Sequence, residues 1–150
     1  MSRASADRVW VSSQILLMAL VVVAAIFGPH WPIGLVLAIV GVALTIAGGL
    51  EMLWGAGTLG RSLTPFPSPR GTHLERGPYR FVRHPIYGGG IVLAVGIALA
   101  SSPLTLAPAL ALVPFFLVKA HYEERLLAQA DPGYAEYLAR VRSRFFPGLL

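Results

Sequence analysis

The chain has 150 residues, 55% of them hydrophobic and only 13% charged, with 12 Lys and Arg against 7 Asp and Glu. Soluble domains carry roughly 25% charged residues, so this composition points to a membrane, and anionic headgroups account for the net positive charge without nucleic acid. Cysteine is absent, which excludes disulfides, thiolate metal sites and a cysteine nucleophile.

Between Arg8 and Arg61 the only charged side chain is Glu51. The gap exceeds the roughly 20 apolar residues that cross a bilayer, so it predicts two transmembrane helices, Val9–Phe27 and Ile33–Leu53. The first does not read as a removable signal peptide, because no small-residue cleavage site follows a short core and a second apolar run begins almost at once. Gly41, Ala43, Ala47, Gly48 and Gly49 permit close helix packing. Glu51 lies about a turn inside the second span, where it reads either as a site residue or as a carboxylate snorkelling to the interface.

The next segment, Leu59 to Arg70, holds three prolines and predicts an extended path along the membrane surface. Gly77-Pro78 predicts a turn. His84 precedes Pro85 and so reads as a non-helical residue at a helix start. That arrangement would leave the backbone N–H groups of Ile86, Tyr87 and Gly88 free to attract an anion. Arg80, Arg83 and His84 also fit ordinary interfacial cations. The glycines Gly88, Gly89 and Gly90 suit either a flat ligand or a packing notch.

No charged residue occurs between Arg83 and Lys119, which predicts two more spans, Ile86–Ala100 and Leu104–Lys119, the first of them short. Every Lys and Arg falls in alternate segments, so an even number of spans places both termini in the cytoplasm of an inner or plasma membrane protein. Beyond the fourth span, Glu123 and Glu124 read as a solvated helix face or as two carboxylates reaching different partners. The histidines His30, His73, His84 and His121 have no metal-ligand spacing. The fold expected is all-α: one domain, a membrane bundle of about four helices with a cytoplasmic loop and a C-terminal helix.

Several pieces in order carry a resemblance: Leu59-Gly-Arg61, Thr64-Pro-Phe-Pro67, Gly77-Pro-Tyr-Arg80, Arg83-His-Pro-Ile-Tyr-Gly88, Glu123-Glu124, and Tyr134, Tyr137 and Arg140 at three-residue spacing before Pro147. Together they resemble the isoprenylcysteine carboxyl methyltransferases, with phospholipid N-methyltransferases as wider relatives, over about residues 59–147. The resemblance implies S-adenosylmethionine as methyl donor and a lipophilic acceptor whose reacting atom is O, N or S. It implies cofactor contacts from Tyr79, Arg83, His84, Pro85, Tyr87, Gly88, Glu123 and Glu124. It further implies that Tyr137 and Arg140 belong to a segment that closes over the site; by their chemistry and position Glu124 and Arg140 are the candidate catalytic residues, and Tyr137, Arg140 and Glu51 the candidate acceptor contacts, Glu51 lying outside the resembling region. The alternatives are a nicotinamide-dependent membrane reductase and a non-catalytic, partner-binding membrane protein.

Overall fold

The computed structural model describes residues 2–32, 34–67 and 73–149, and among these the regular structure is entirely helical. The helices are α1 (Arg3–Phe27), α2 (Leu35–Leu59), α3 (Pro85–Ala100), α4 (Leu106–Ala130) and α5 (Tyr134–Arg140). Ile33, where the second span was expected to begin, and the end of the proline-rich stretch at Arg70 lie outside the described residues.

Helices α1, α2 and α4 are long and apolar enough to cross a membrane. Their outer faces carry side chains that only lipid would solvate, such as Leu35 at 76% and Leu53 at 70% exposure. Helix α3 has 16 residues, ~24 Å of rise against a hydrocarbon core of ~30 Å, so it is the short member of the bundle. It nevertheless reaches as far as its neighbour requires. The linkers at both non-basic ends meet: Trp31 donates from Nε1 to the Ala98 carbonyl at 2.9 Å and from its backbone to Ser101 at 3.3 Å.

Sequence order suggests two hairpins, α1 with α2 and α3 with α4. Helices α3 and α4 do pack together, but α2 packs chiefly on α3, and α1 lies against α4 rather than α2. Glycines spaced by seven residues explain the choice. Side chains seven apart share a helix face, and Gly41, Gly48 and Gly55 are the buried residues of α2. A Cβ on Gly48 would lie 2.4 Å from the Leu93 nitrogen, and one on Gly96 would lie 2.7 Å from the Gly41 carbonyl. Only hydrogen fits between backbones this close. Gly89 belongs to the same seam, facing Gly48 and Met52, so the glycine triplet is in part a packing notch.

Helix α4 does not stop at Lys119. It continues to Ala130, carrying Glu123 and Glu124 as part of the spanning helix itself. Its buried face, with Ala109, Leu112 and Phe116, meets Ile91, Ala94 and Ala98 of α3 and Val21 of α1 in the core.

Candidate functional site

At the end of the bundle opposite the short linkers, Pro85 occupies the first position of α3 and His84 precedes it at φ −131° and ψ 63°. The His84 carbonyl accepts the N–H groups of Tyr87 and Gly88, both at 3.1 Å. These two donors are therefore committed to the helix, so the expected anion-binding turn loses two of its three N–H groups. The buried His84 ring is stacked with Tyr87, with centroids 5.3 Å apart, and Tyr87 in turn stacks on Phe116 of α4 at 4.5 Å. Glu123 lies two turns beyond Phe116 on the same helix face. Its Oε1 accepts a hydrogen bond from the Tyr87 hydroxyl at 2.5 Å.

Successive helical residues diverge by about 100°, so the two glutamates meet different partners. Glu123 faces His84 Nδ1 at 3.5 Å and Lys119 Nζ at 4.0 Å. Glu124 faces Arg144, whose Nε and Nη2 donate at 3.2 and 3.1 Å. Arg83 Nε and His84 Nε2 lie 3.2 and 3.4 Å from Glu124, yet neither has an aligned hydrogen bond among the described residues. The C-terminal segment is fastened here by its backbone as well. Arg83 N–H donates to the Ser143 carbonyl at 3.0 Å and His84 N–H to that of Arg144 at 2.8 Å.

These groups border a cavity of about 410 Å³. Its lining is mixed: His73, Tyr79, Arg83, His84, Tyr87, Lys119, Glu123, Tyr134 and Tyr137 are polar or amphipathic, and Leu59, Leu63, Pro65, Phe66, Ile86 and Leu127 are apolar. The Lys119 side chain is buried and donates to Gln14 Oε1 at 2.5 Å and to the Pro65 carbonyl at 3.1 Å. A single ammonium thereby ties α1, α4 and the proline-rich segment together.

Outside the spans, helix α5 closes the polar end. The buried Tyr137 hydroxyl donates to the Tyr79 carbonyl at 2.7 Å. Burial raises the phenol pKa values of Tyr79, Tyr134 and Tyr137, so all three remain neutral donors. His73 contacts Asp131 Oδ2 through Nδ1 at 2.6 Å and Glu75 through Nε2 at 2.9 Å, and Glu75 pairs with Arg140 at 2.5 Å. Burial alone would lower the His73 pKa, but the two carboxylates together raise it above the ordinary imidazole value. Hydrogen bonds from Arg140 and His73 lower Glu75, and those from His73 lower Asp131.

Of the residues expected at the site, Tyr79, Arg83, His84, Tyr87, Glu123 and Tyr137 line the cavity. Pro85 and Gly88 stand behind it. A Cβ on Gly88 would lie 2.7 Å from the Phe145 carbonyl, so this glycine admits the C-terminal backbone rather than a ligand. Glu124 is absent from the lining because its carboxylate is turned into the arginine cluster. Arg140 is half exposed and pairs with Glu75 instead of Glu124, because α5 presents it to the 73–76 loop. Glu51 borders a separate groove with Trp54, Phe81 and Pro147. Gln14, Lys119 and Arg144 were missed as site residues. A lone lysine in an apolar helix, four residues before a glutamate, was the signal available for Lys119. Among the described residues no His, Asp and Glu cluster is arranged to hold a metal ion.

A cobalt-zinc-cadmium resistance protein, CzcN, of Cupriavidus metallidurans is 34% identical to the chain over 120 residues. The aligned region covers 79% of this chain and 51% of that protein, so the chain spans about half the length of this relative. Residues 34–130, which run from α2 through α4 and include His84, Tyr87, Lys119 and Glu123, match the phospholipid methyltransferase family. By that match, an all-helical membrane chain with its polar cavity at one end of the bundle belongs to the phospholipid methyltransferase family.

Proposed function

We propose that the chain transfers a methyl group from S-adenosylmethionine to a lipophilic acceptor at the cytoplasmic membrane face. The observation that carries this reading is the cavity itself, whose lining combines His84, Tyr87, Glu123 and Arg83 with the apolar side chains of Leu59, Leu63 and Phe66. The donor is a sulfonium bearing an ammonium, a carboxylate and a ribose diol, and it supplies an electrophilic methyl for in-line displacement.

The residues suit such a molecule. Arg83 and His84 line the cavity and carry N–H donors of the kind a carboxylate takes, while Arg83 Nε and His84 Nε2 themselves face Glu124. Glu123 suits an ammonium or a ribose hydroxyl, with Tyr87 holding the carboxylate in place. The aromatic stack of His84, Tyr87 and Phe116 offers a rigid floor. The protein's main contribution is to hold the acceptor atom against the methyl while lipid and the proline-rich segment exclude water. An acceptor that is already anionic needs no base. For an amine, Glu123 is the carboxylate within the cavity that could take the proton.

The narrower resemblance to isoprenylcysteine carboxyl methyltransferases supports the same donor and a lipid-like acceptor. Calorimetric titration of the detergent-purified protein with S-adenosylhomocysteine and, separately, with reduced nicotinamide dinucleotide tests the reading. Binding of the first alone is expected; binding of the second alone, or of neither, would overturn it.

A further inference from the structure

We infer that residues 73–76 form a gate on the aqueous side of the cavity, latched by His73 to the corner between α4 and α5, through which a water-soluble ligand with a flat aromatic ring enters and leaves. That this ligand is the methyl donor rests on the methyltransferase reading; the gate itself does not.

His73 and Leu74 line the cavity, so this loop is part of its wall. Helices α3, α4 and α5 hold their cavity residues on continuous backbone ladders, whereas among the described residues no backbone–backbone hydrogen bond fastens residues 73–75. Side chains hold the loop instead. Asp131, which caps α4, receives the His73 backbone N–H at 2.9 Å and meets His73 Nδ1 at 2.6 Å, both on Oδ2. Its Oδ1 accepts the Gly133 N–H at 3.0 Å, so one carboxylate sets both the loop and the turn into α5. On the outer side His73 Nε2 meets Glu75 at 2.9 Å, and Arg140 of α5 pairs with Glu75 at 2.5 Å. Gly77, at φ 58°, follows the loop and supplies a pivot that a residue with a side chain would adopt only under strain.

Such a latch closes well and opens cheaply. The Glu75 and Arg140 side chains are 39% and 54% exposed, and water competes for a pair placed like this. Segments held by few buried contacts are the first to open locally. Helix α5 has an anchor of its own in the Tyr137 bond to the Tyr79 carbonyl, so the loop can leave while α5 stays. Tyr134 and Tyr137 stand against the His73 ring, with centroids 5.7 and 4.9 Å away. A flat ligand can slide along these two phenol rings as the imidazole withdraws, which is the chemistry the opening selects. A lipid arriving from the bilayer has no need of this route, because every residue of the latch lies outside the spans.

The chain has no cysteine, so a single thiol can report on the opening. Leu127 lines the cavity and packs against the cluster of Tyr134, Tyr137 and Val141. In nanodiscs, Leu127→Cys is treated with a charged methanethiosulfonate reagent, alone and combined with Asp131→Asn or Glu75→Gln, neither of which alters the cavity lining. Modification should quicken by about tenfold with Asp131→Asn, the scale of a hydrogen bond to a charged group, and by a smaller factor with Glu75→Gln. In the same two latch variants S-adenosylhomocysteine should associate and dissociate faster by similar factors, with its affinity within about twofold of wild type. A bis-maleimide joining Glu75→Cys to Arg140→Cys should slow that exchange relative to the unlinked protein. Unchanged thiol reactivity in both monodisperse latch variants would overturn the inference, as would equal ligand exchange in the linked and unlinked protein. Faster release with affinity lost in proportion would make the loop a ligand contact and overturn it too. Latch-dependent thiol reactivity in a protein that ignores S-adenosylhomocysteine would leave the gate standing and refute the methyltransferase reading instead.

Discussion

Tyr87 donates its hydroxyl proton to Glu123 at 2.5 Å, joining α3 to α4 across the cavity floor. The bond fixes which of two adjacent glutamates faces the cavity. Replacing Tyr87 with Phe frees the carboxylate to rotate, and replacing His84 with Ala removes the ring stacked beneath it. Each change should weaken S-adenosylhomocysteine binding by about 1–3 kcal/mol, measured by titration calorimetry. Affinities equal to wild type in both folded variants would remove the donor from this wall.

Glu124 should behave as a structural residue. Its carboxylate is 8% exposed and is held by Arg144, with Arg83 and His84 alongside. Glu124→Gln leaves the arginines without their counter-charge, and breaking such a buried pair costs about 3–5 kcal/mol. A thermal unfolding midpoint several degrees lower is expected, together with accelerated proteolysis after α5. Arg140→Ala removes an exposed pair and should cost no more than about 1 kcal/mol. Reversed magnitudes would mean that Arg140, not Arg144, anchors the C-terminal segment.

The spans were legible because charge is confined to alternate segments, and lipid-facing helices need no other pattern. The end of the fourth span was not. Lys119, Glu123 and Glu124 looked like an exit into water, although Ala120, Arg125, Leu126 and Leu127 sustain the helix and the charges find buried partners. Helix pairing was hidden for a related reason: Gly41, Gly48 and Gly55 are visible in the sequence, but glycines do not name the helix that will approach them. His84, Tyr87 and Glu123 could be found from motif order. Arg144 could not, since the segment after α5 has no periodicity to reveal which side chains turn inward.

The 73–76 loop should release as pH rises. Asp131 and Glu75 raise the His73 pKa, so the stabilisation is complete below the ordinary imidazole value and is lost as pH climbs through the raised one. Glu75 and Asp131 have lowered values, so their share is present above the usual carboxylate range and fades in acid. Loop docking should therefore be strongest between these limits. Hydrogen exchange at residues 73–76 should increase on the alkaline side, and His73→Gln should abolish that limb while leaving the acid one.

The seam between α2 and α3 should tolerate no side chain. Gly48→Leu places atoms where the Leu93 nitrogen and Gly89 carbonyl already sit, so the helices must separate. Overpacking costs typically 1–3 kcal/mol, and backbone neighbours leave no flexible group to yield, which puts this site at the upper end. Gly57, with no neighbour within 4 Å, supplies the control: Gly57→Leu should unfold close to the wild type.

Topology can be read with single cysteines, since the chain has none of its own. A membrane-impermeant maleimide applied to intact cells should label His30→Cys and spare Ser2→Cys and Arg142→Cys. Labelling of Ser2→Cys without Arg142→Cys would mean an odd number of crossings and a re-entrant α3.

The backbone pairing of Arg83 and His84 with Ser143 and Arg144 also carries a consequence for biosynthesis. The spans can leave the translocon and pack along their glycines before residues 143–146 have left the ribosome. Until those residues arrive, Gly88 faces an empty slot and Glu124 lacks Arg144. The corner of Arg83, His84 and Glu124 is thus completed after insertion, as a late step that a stalled or clipped nascent chain would never reach.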